Sequence, residues 1–504
     1  MRFGPRQAWI VVAGIWCLLA ARFYRAFVSE DAWGMSDDVY ISACAARSLI
    51  EGYGPVWFPD APRVEGFSNP LWVGVLALLH WLPGFSDDRL GGLVLAVNLG
   101  LFVALAGACA RLLAGLSFGR WWILAVFSLG GAALPYFAAE GFEVVLIALL
   151  GVLALDAARR EQPMHFALWV GLGFWTRMDF LIMAALPGAW LGARLRGDPR
   201  VPRALLVGAS LAALLFAARW SFFGEWLPNT VYLKTVGWPI VDRVARGLVQ
   251  NAWAWPSALL LLGMVGLAAR RERAVGAGAQ QGFALGCVAV FVVGLSYSTY
   301  LGGDFMPRRA GWDRFTAPYL PLLLVGLSAS LGALRTTPTR RAAAVGLTLL
   351  VLLAPAVATD ADRKVLDRRL VNFEIGAEPQ KWSRGWRSFG RAYGDVSLPG
   401  ARMAVCSAGS VVYFSHRGGV DLLGKLDPVV ARLPVTGRPD EARCWRDWPG
   451  HNKEAIEISF ELYRPDFSAV PPPRAFRDQY RPVRYGGHEF WARRGSEYVV
   501  WDLL

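Results

Sequence analysis

Two adjacent acids, Asp37 and Asp38, are the residues of this 504-residue chain whose types and spacing most directly indicate chemistry. They follow Ser36 and begin a segment, residues 37–50, whose apolar spacing predicts a helix that ends at Gly52. One interpretation is a helix cap, in which acidic side chains face the positive end of the helix dipole. The other is a general base or a metal-binding pair, because a carboxylate beside a like charge and apolar walls accepts a proton more readily.

Further charged residues fall near the ends of apolar runs and suggest a second group of polar contacts. The acids are Glu140, Glu143, Asp179 and Asp304. The bases are Arg177, Arg219, Lys234, Arg308, Arg309 and Arg314. Ion pairing, for instance of Arg177 with Asp179 or Glu143, is one explanation, since charges at membrane depth are costly. For the acids, the alternative is a substrate cavity. For the bases, the alternatives are lipid headgroups or the phosphate of a lipid carrier, which an arginine fork binds through two hydrogen bonds.

Long apolar runs must position these residues. Hydrophobic residues make up 55% of the chain and charged residues only 18%, below the quarter typical of soluble domains. A run of about 18 apolar residues spans a bilayer as a helix. The predicted spans are roughly 7–27, 89–110, 121–139, 141–158, 164–178, 180–194, 204–218, 253–269, 282–300, 317–334 and 342–359.

Arginine clusters orient these eleven predicted crossings. Short cytoplasmic loops are enriched in Lys and Arg, and placing all six clusters inside puts the tail outside, with the loops of about 28–88 and 219–250 and the turn 301–316. The apolar segment Pro70 to Leu82 is too short to span. We expect it to lie at the outer interface as a helix anchored by Trp72 and Trp81.

The domain organisation expected from this pattern is a membrane core over residues 1–359, with outer loop 28–88, and a soluble domain over 360–504 of α/β or α+β type. In the tail, Val405 and Val411-Val412-Tyr413-Phe414 predict strands around a turn at Ser407-Ala408-Gly409. Cys406 and Cys444 are candidates for a disulfide if the tail is outside. The net charge of +13 lies beside membrane runs and does not indicate nucleic-acid binding.

The expected orientation restricts the chemistry. The inner connections are too short for a nucleotide-binding domain, and the sequence has no Gly-rich phosphate loop. Activated nucleotide sugars are made in the cytosol, so an enzyme acting outside on sugars needs a lipid-carried donor. Cations would stabilise the phosphate leaving group, and a carboxylate would activate the acceptor hydroxyl.

Several motifs resemble GT-C glycosyltransferases, most closely the terminal arabinofuranosyltransferase family of mycobacterial cell-wall synthesis and its bacterial relatives. The resemblance spans most of the chain. Its motifs are Asp37-Asp38-Val39-Tyr40-Ile41-Ser42, Arg47 with Leu49, Gly52-Tyr53-Gly54, Arg63-Val64-Glu65-Gly66-Phe67-Ser68-Asn69-Pro70-Leu71-Trp72, Gly141-Phe142-Glu143, Thr176-Arg177, Leu227-Pro228-Asn229-Thr230 with Tyr232 and Lys234, Gly302-Gly303-Asp304-Phe305-Met306-Pro307, Val420-Asp421-Leu422-Leu423-Gly424 with Asp427-Pro428, and Gly450-His451-Asn452-Lys453.

The resemblance implies a polytopic GT-C fold and an inverting transferase that moves arabinofuranose or a similar pentose from a polyprenyl phosphate to a cell-envelope glycan. Asp37 or Asp38 would be the catalytic base. The residues implied to bind donor or acceptor are Arg63, Glu65, Glu143, Arg177, Lys234, Asp304, Arg308 and Arg309. No cofactor is required, although some GT-C members use a divalent cation. The implied location is the plasma membrane, with the site and the tail facing outward.

One departure and two competing functions bear on this expectation. Where the family tends to have Phe-Arg-Tyr, this chain has Ala43-Cys44-Ala45, which puts the donor sugar in question more than the reaction class. A transporter of a lipid-linked sugar would show internal repeats and broken helices, and no clear repeat is visible. A non-enzymatic envelope or motility assembly factor is the third candidate.

Overall fold

The computed structural model is mostly helical and carries one small sheet. It describes residues 5–29, 35–114, 120–273, 278–304, 311–333, 339, 342–355, 385–435, 450, 451, 453 and 455–504. Its helices are Pro5–Ser29, Asp37–Ile50, Pro70–His80, Leu90–Leu112, Arg120–Gly130, Ala133–Ala139, Val144–Arg159, Pro163–Thr176, Phe180–Arg194, Arg200–Phe223, Asn229–Thr235, Ile240–Gln250, Ala254–Arg273, Gly278–Tyr300, Leu320–Ala333, Ala342–Pro355, Trp386–Asp395, Ser410–Ser415, Pro428–Arg432 and Ile456–Tyr463.

Four of the described helices are long and apolar enough to cross a membrane, and two bent helix pairs raise the number to six. The four segments are Arg6–Ala26, Asp87–Leu112, Arg200–Phe223 and Gln280–Tyr300. All eleven predicted runs contain a helix. Some are short, such as Val144–Arg159 with 16 residues, about 24 Å at 1.5 Å per residue. Eleven crossings therefore remain a prediction.

The residues divide into two compact units. The first contains 1–23, 95–215 and 241–377, and the second contains 24–94, 216–240 and 378–504. The outer loop and the tail thus belong to one unit, which the sequence did not indicate. In the second unit, the helix Asp37–Ile50 forms as predicted, and Gly52 follows it with φ of +89°, a left-handed conformation that suits glycine.

A five-stranded mixed sheet lies in the second unit, in the order β2-β1-β3-β5-β4. The strands are β1 (Arg402–Val405), β2 (Gly418–Asp421), β3 (Phe467–Ser468), β4 (Tyr480–Tyr485) and β5 (His488–Arg493). Strand β1 pairs in parallel with both β2 and β3, whereas β5 pairs antiparallel with β3 and β4. The strand predicted at Val405 is confirmed.

Two local predictions in this unit are wrong. The run Val411 to Phe414 is part of the helix Ser410–Ser415, not a strand. All six residues of that helix are buried, and a short apolar run buried on every side fits a helix as well as a strand. In the helix Pro70–His80, Trp72 is fully buried and packs inside the unit, whereas Trp81 is 77% exposed. Of the two tryptophans, only Trp81, the residue that follows this helix, is exposed as a membrane-interface anchor would be.

Candidate functional site

Asp37 joins the outer loop to the tail within the second unit. Its Oδ1 accepts hydrogen bonds from the backbone nitrogen and the hydroxyl of Ser410, both at 2.7 Å. Its Oδ2 accepts one from the backbone nitrogen of Gly409 at 3.1 Å. Burial raises the pKa of Asp37, and the hydrogen bonds from Ser410 and Gly409 oppose that shift. Both carboxylate oxygens are thus engaged, and Asp37 caps the start of the helix Ser410–Ser415 from a distant part of the chain.

Asp38 has a different partner, an ammonium group from the tail. The Nζ of Lys425 contacts its Oδ1 in an ion pair. The side chain of Asp38 is 25% exposed and that of Lys425 is 13% exposed. Asp38 therefore keeps access to solvent while an opposite charge holds it in place.

The turn that carries Lys425 is built by two acids. Asp421, at the end of β2, accepts hydrogen bonds from the backbone nitrogens of Leu423 at 2.9 Å and Leu426 at 2.8 Å. Asp427 ends the turn and caps the helix Pro428–Arg432 through the nitrogens of Val429 and Val430. Burial raises the pKa of Asp421 to about 6, and the bonds to Leu426 and Leu423 oppose this shift.

Asn229 holds the same turn from another segment. Its amide nitrogen donates to the carbonyls of Gly424 and Lys425, both at 2.9 Å, and to that of Asp427 at 3.3 Å. Its backbone nitrogen donates to the carbonyl of Glu65 at 2.9 Å. The motif Leu227-Pro228-Asn229-Thr230 and the motif containing Glu65 therefore meet the Lys425 turn.

Gly66 and Glu65 complete this contact. A Cβ atom on Gly66 would lie 2.2 Å from the Cδ2 of Leu426 and 3.2 Å from the carbonyl oxygen of Lys425, so a larger residue would require the Leu426 side chain to shift. Glu65 forms a buried, two-toothed ion pair with Arg219, whose Nη2 lies 2.9 Å from its Oε1. Burial raises the pKa of Glu65, and Arg219 opposes the shift. Glu65 is therefore committed to Arg219 and is a positioning residue, not an open binding group.

Lys453, the last residue of the motif Gly450-His451-Asn452-Lys453, connects two helices of the second unit. It is fully buried, and its Nζ donates to the carbonyls of Tyr232, at 3.3 Å, and Ala431. Burial lowers the pKa of Lys453 to about 8. Lys453 thus ties the helix Asn229–Thr235, which also carries Lys234, to the helix Pro428–Arg432.

Arg63 is the exposed cation of this unit among the predicted binding residues. Its guanidinium carbon lies 4.8 Å above the ring of Phe222, which is a cation–π contact. Within the part of the chain that the structure describes, Arg63 forms no ion pair with a carboxylate. Its charge is therefore available to an anion from solution.

The first unit contains a charged cluster of its own. Arg177 donates from Nε to Asp179 at 3.1 Å, and its Nη1 lies 3.7 Å from the Oε1 of Glu143. The ion pairs considered from the sequence therefore both form. The guanidinium carbon of Arg177 also lies 5.2 Å from the centre of the Phe315 ring. Glu143, Arg177 and Asp179 are nearly buried in this cluster, with side chains 8%, 9% and 15% exposed.

Asp304 and Arg314 form a second pair in that unit, with the Nε of Arg314 3.0 Å from Oδ2 of Asp304. Arg314 stacks over Phe142 and Phe315 at 5.2 and 5.4 Å. The predicted residues Arg308 and Arg309 lie outside the described residues. Because carboxylates already engage Arg177 and Arg314, a phosphate would bind either guanidinium only by displacing or sharing a carboxylate.

The sequence also suggested a metal-binding acidic pair and a disulfide between Cys406 and Cys444. Among the residues that the structure describes, no group of three or more His, Cys, Asp or Glu side chains is placed to hold a metal ion. Cys406 is disulfide-bonded, while Cys17, Cys44, Cys109 and Cys287 are free. Cys444 lies outside the described residues.

Comparison with known proteins adds no relative: no family model, no curated protein and no solved structure matches this chain. The interpretation of the site therefore depends on the residues of this chain alone.

Sequence reasoning missed two residues of the Asp38 site, Lys425 and the side chain of Asn229. Both sit within or beside motifs that the sequence singled out, after Gly424 and between Pro228 and Thr230. The available signal was a glycine turn flanked by two acids, Asp421 and Asp427, which predicts a turn with backbone donors pointing inward. The pairing of Lys425 with Asp38, 387 positions away in the chain, cannot be predicted from the sequence around either residue.

Proposed function

We propose that this chain is an inverting glycosyltransferase of the GT-C type, acting on a polyprenyl-phosphate sugar at the outer face of the membrane. The sugar is arabinofuranose or a similar pentose, and the acceptor is a cell-envelope glycan. The eleven crossings predicted from the arginine clusters belong to this proposal, since they put the outer loop and the tail on one side. The bonded state of Cys406 supports an oxidising location for the tail.

The observation that carries the proposal is the Asp38–Lys425 pair. A partly exposed carboxylate is held by a cation whose turn is fixed by Asp421 and Asn229. These contacts fix the position of the Asp38 carboxylate, and a catalytic base has to be held within hydrogen-bond reach of the proton that it accepts.

In the proposed step, an acceptor hydroxyl oxygen attacks the anomeric carbon of the donor sugar. Asp38 accepts the hydroxyl proton as the new carbon–oxygen bond forms. The bond between the anomeric carbon and the phosphate oxygen breaks on the opposite side, and polyprenyl phosphate leaves with the electron pair. The anomeric configuration is therefore inverted, and no covalent enzyme intermediate forms.

Arg63 is the proposed partner of the donor phosphate in the second unit. It is exposed, and the Phe222 ring supports its guanidinium. A guanidinium binds phosphate through two parallel hydrogen bonds and stabilises the charge that develops on the leaving group. Glu143, Arg177 and Asp304, predicted to bind donor or acceptor, are proposed to shape the first unit's cluster through their mutual pairs.

The test is a transfer assay with purified protein, polyprenyl-phosphate arabinofuranose and an oligosaccharide acceptor. We expect Asp38→Asn to lower kcat by about 100-fold or more, the usual contribution of a general base, with its thermal unfolding unchanged within a few degrees. Asp60→Asn is the matched control, since Asp60 is an exposed acid of the same outer loop, and it should transfer at the wild-type rate. A folded Asp38→Asn variant with wild-type activity would exclude Asp38 as the base.

Two further outcomes of that assay bear on the reaction class. The product linkage, determined by NMR, should show the anomeric configuration opposite to that of the donor. Retention would contradict the single-displacement step. Transfer from no lipid-phosphate pentose, with a folded wild-type protein, would contradict the proposed donor class.

A further inference from the structure

The helix Ile240–Gln250 exposes its apolar side, whereas a surface helix of a soluble protein buries its apolar side against the core. Residues Val241, Leu248 and Val249 are 77%, 50% and 75% exposed, and at 100° per residue the first two share one face. Arg243 lies on the other side and is buried, with its guanidinium carbon 4.4 Å from the centre of the Tyr300 ring. The apolar residues are therefore outward, whereas the charged side chain of Arg243 is inward.

The inward face is fixed to the helix Gly278–Tyr300 within the first unit. A Cβ atom on Gly247 would lie 1.9 Å from the carbonyl oxygen of Thr299, so the two backbones are in close contact. Just beyond the helix, Asn251 donates to the hydroxyls of Ser298 at 3.3 Å and Thr299 at 3.1 Å. These contacts lock the rotation of the helix, so the exposure of its apolar face is imposed by the fold.

The direction of the helix indicates what covers that face. It is bent by 75° from the following segment, Ala254–Arg270, which carries the predicted span 253–269. A spanning helix tilts about 20° on average from the bilayer normal, so a helix bent by 75° from it runs close to the membrane plane. The next helix also exposes Leu259 and Leu260, at 54% and 58%, as a membrane span exposes apolar side chains to lipid.

We propose that Ile240–Gln250 is an in-plane helix whose apolar face lies in the boundary between lipid headgroups and acyl chains. Apolar residues on one side and charges on the other are the pattern of helices that lie on a membrane surface. Exposed Trp253, at 47%, and Tyr300, at 42%, flank it, as aromatic residues do at the interface. The occupant of this face is phospholipid, and the proposal does not depend on the transfer chemistry.

Site-directed spin labelling of the full chain tests this placement. Val241→Cys, Leu248→Cys and Asp242→Cys are each labelled with a nitroxide and reconstituted into phosphatidylethanolamine–phosphatidylglycerol vesicles. Asp242 is exposed but belongs to the polar side, so it serves as the control. Wild-type protein treated identically gives the background from its native cysteines, four of which are free among the described residues. Power saturation with oxygen and with a nickel chelate then reports the depth of each label.

An in-plane helix predicts equal depths at positions 241 and 248, both favouring oxygen, and a nickel-accessible label at 242. Positions seven residues apart are about 10 Å apart along a helix axis, so a depth difference near that value would show that the helix crosses or re-enters the membrane. Nickel access at all three positions would place the face in water. Dipolar broadening between labels at 248 would show a second copy on this face. Each of these results overturns the proposal.

Discussion

Asp37 and Asp38 are adjacent in the chain, but their carboxylates have different partners. Asp37 accepts hydrogen bonds from Ser410 and Gly409 through both oxygens, which leaves it the role of a cap for a helix in the tail. Asp38 forms an ion pair with Lys425, and its side chain is partly exposed. The cap that the sequence offered was for the pair's own helix, Asp37–Ile50, whereas Asp37 caps the helix Ser410–Ser415 of the tail. Asp38 is the proposed base.

Asp421 is the residue whose ionisation should affect stability between pH 4 and 7. Its pKa of about 6 in the folded chain lies above the usual 3.8, so the folded state binds its proton more tightly than the unfolded state. The stability that this proton adds is complete below about pH 4 and is lost as the pH rises through 6. At about 1.4 kcal/mol per pKa unit, the loss is at most about 3 kcal/mol.

Thermal unfolding of the wild type and of Asp421→Asn, measured in detergent from pH 4.5 to pH 7.5, checks this expectation. Asparagine carries no titrating proton, so the variant should lack this component, and the unfolding midpoint of the wild type should fall relative to it over that range. Asp395→Asn, an exposed acid of the tail, is the control. A constant difference between the wild type and Asp421→Asn across the pH range would contradict the raised pKa.

At the scale of the elements, the sequence predicted those helices and strands whose formation depends on neighbouring residues. The spacing of residues 37–50 and the glycine at 52 sufficed to predict the helix Asp37–Ile50, because its burial pattern and its end are encoded within it. The run 411–414 did not reveal its helix, because that helix is capped by Asp37, 373 positions away. The Lys425 turn was missed for the same reason: its pairing with Asp38 and Asn229 is a tertiary contact.

The Lys425 turn should depend on the amide of Asn229. Asn229→Ala removes donors to three carbonyls, and each buried polar group left unsatisfied costs about 1–3 kcal/mol. Asn229→Asp should be worse, although it has the same shape, because a carboxylate would face three carbonyl oxygens in a buried position. We expect the unfolding midpoint to be highest in the wild type, lower in Asn229→Ala and lowest in Asn229→Asp. The transfer rate should fall in the same order.

Gln479→Ala provides the matched control for those variants, since Gln479 is an exposed amide of the same unit. It should unfold at the wild-type temperature. An Asn229→Asp variant as stable as the wild type would show that amide donors do not hold the turn.

At the scale of the whole chain, the second unit is assembled from three separated segments: 24–94, 216–240 and 378–504. The sequence predicted a boundary near residue 360 because charge and proline content change there. Composition reports which residues meet lipid and which meet water, but it carries no information on which water-facing segments pack together. That packing depends on particular contacts, such as those of Asp37 with Ser410 and of Gly66 with Leu426.

If those three segments form one cooperative unit, weakening the tail should loosen the outer loop. Phe467 is fully buried in the central strand β3, and Phe→Ala in a core costs about 3–5 kcal/mol. Hydrogen exchange of Phe467→Ala, followed by mass spectrometry, should therefore rise in the helices Asp37–Ile50 and Pro70–His80, while the helix Val144–Arg159 of the first unit keeps its wild-type protection. Leu462→Ala is the control, because Leu462 is a tail residue that is 54% exposed, and it should change neither region. An increase confined to residues 385–504 would instead show that the tail opens as an independent domain, as its composition suggested.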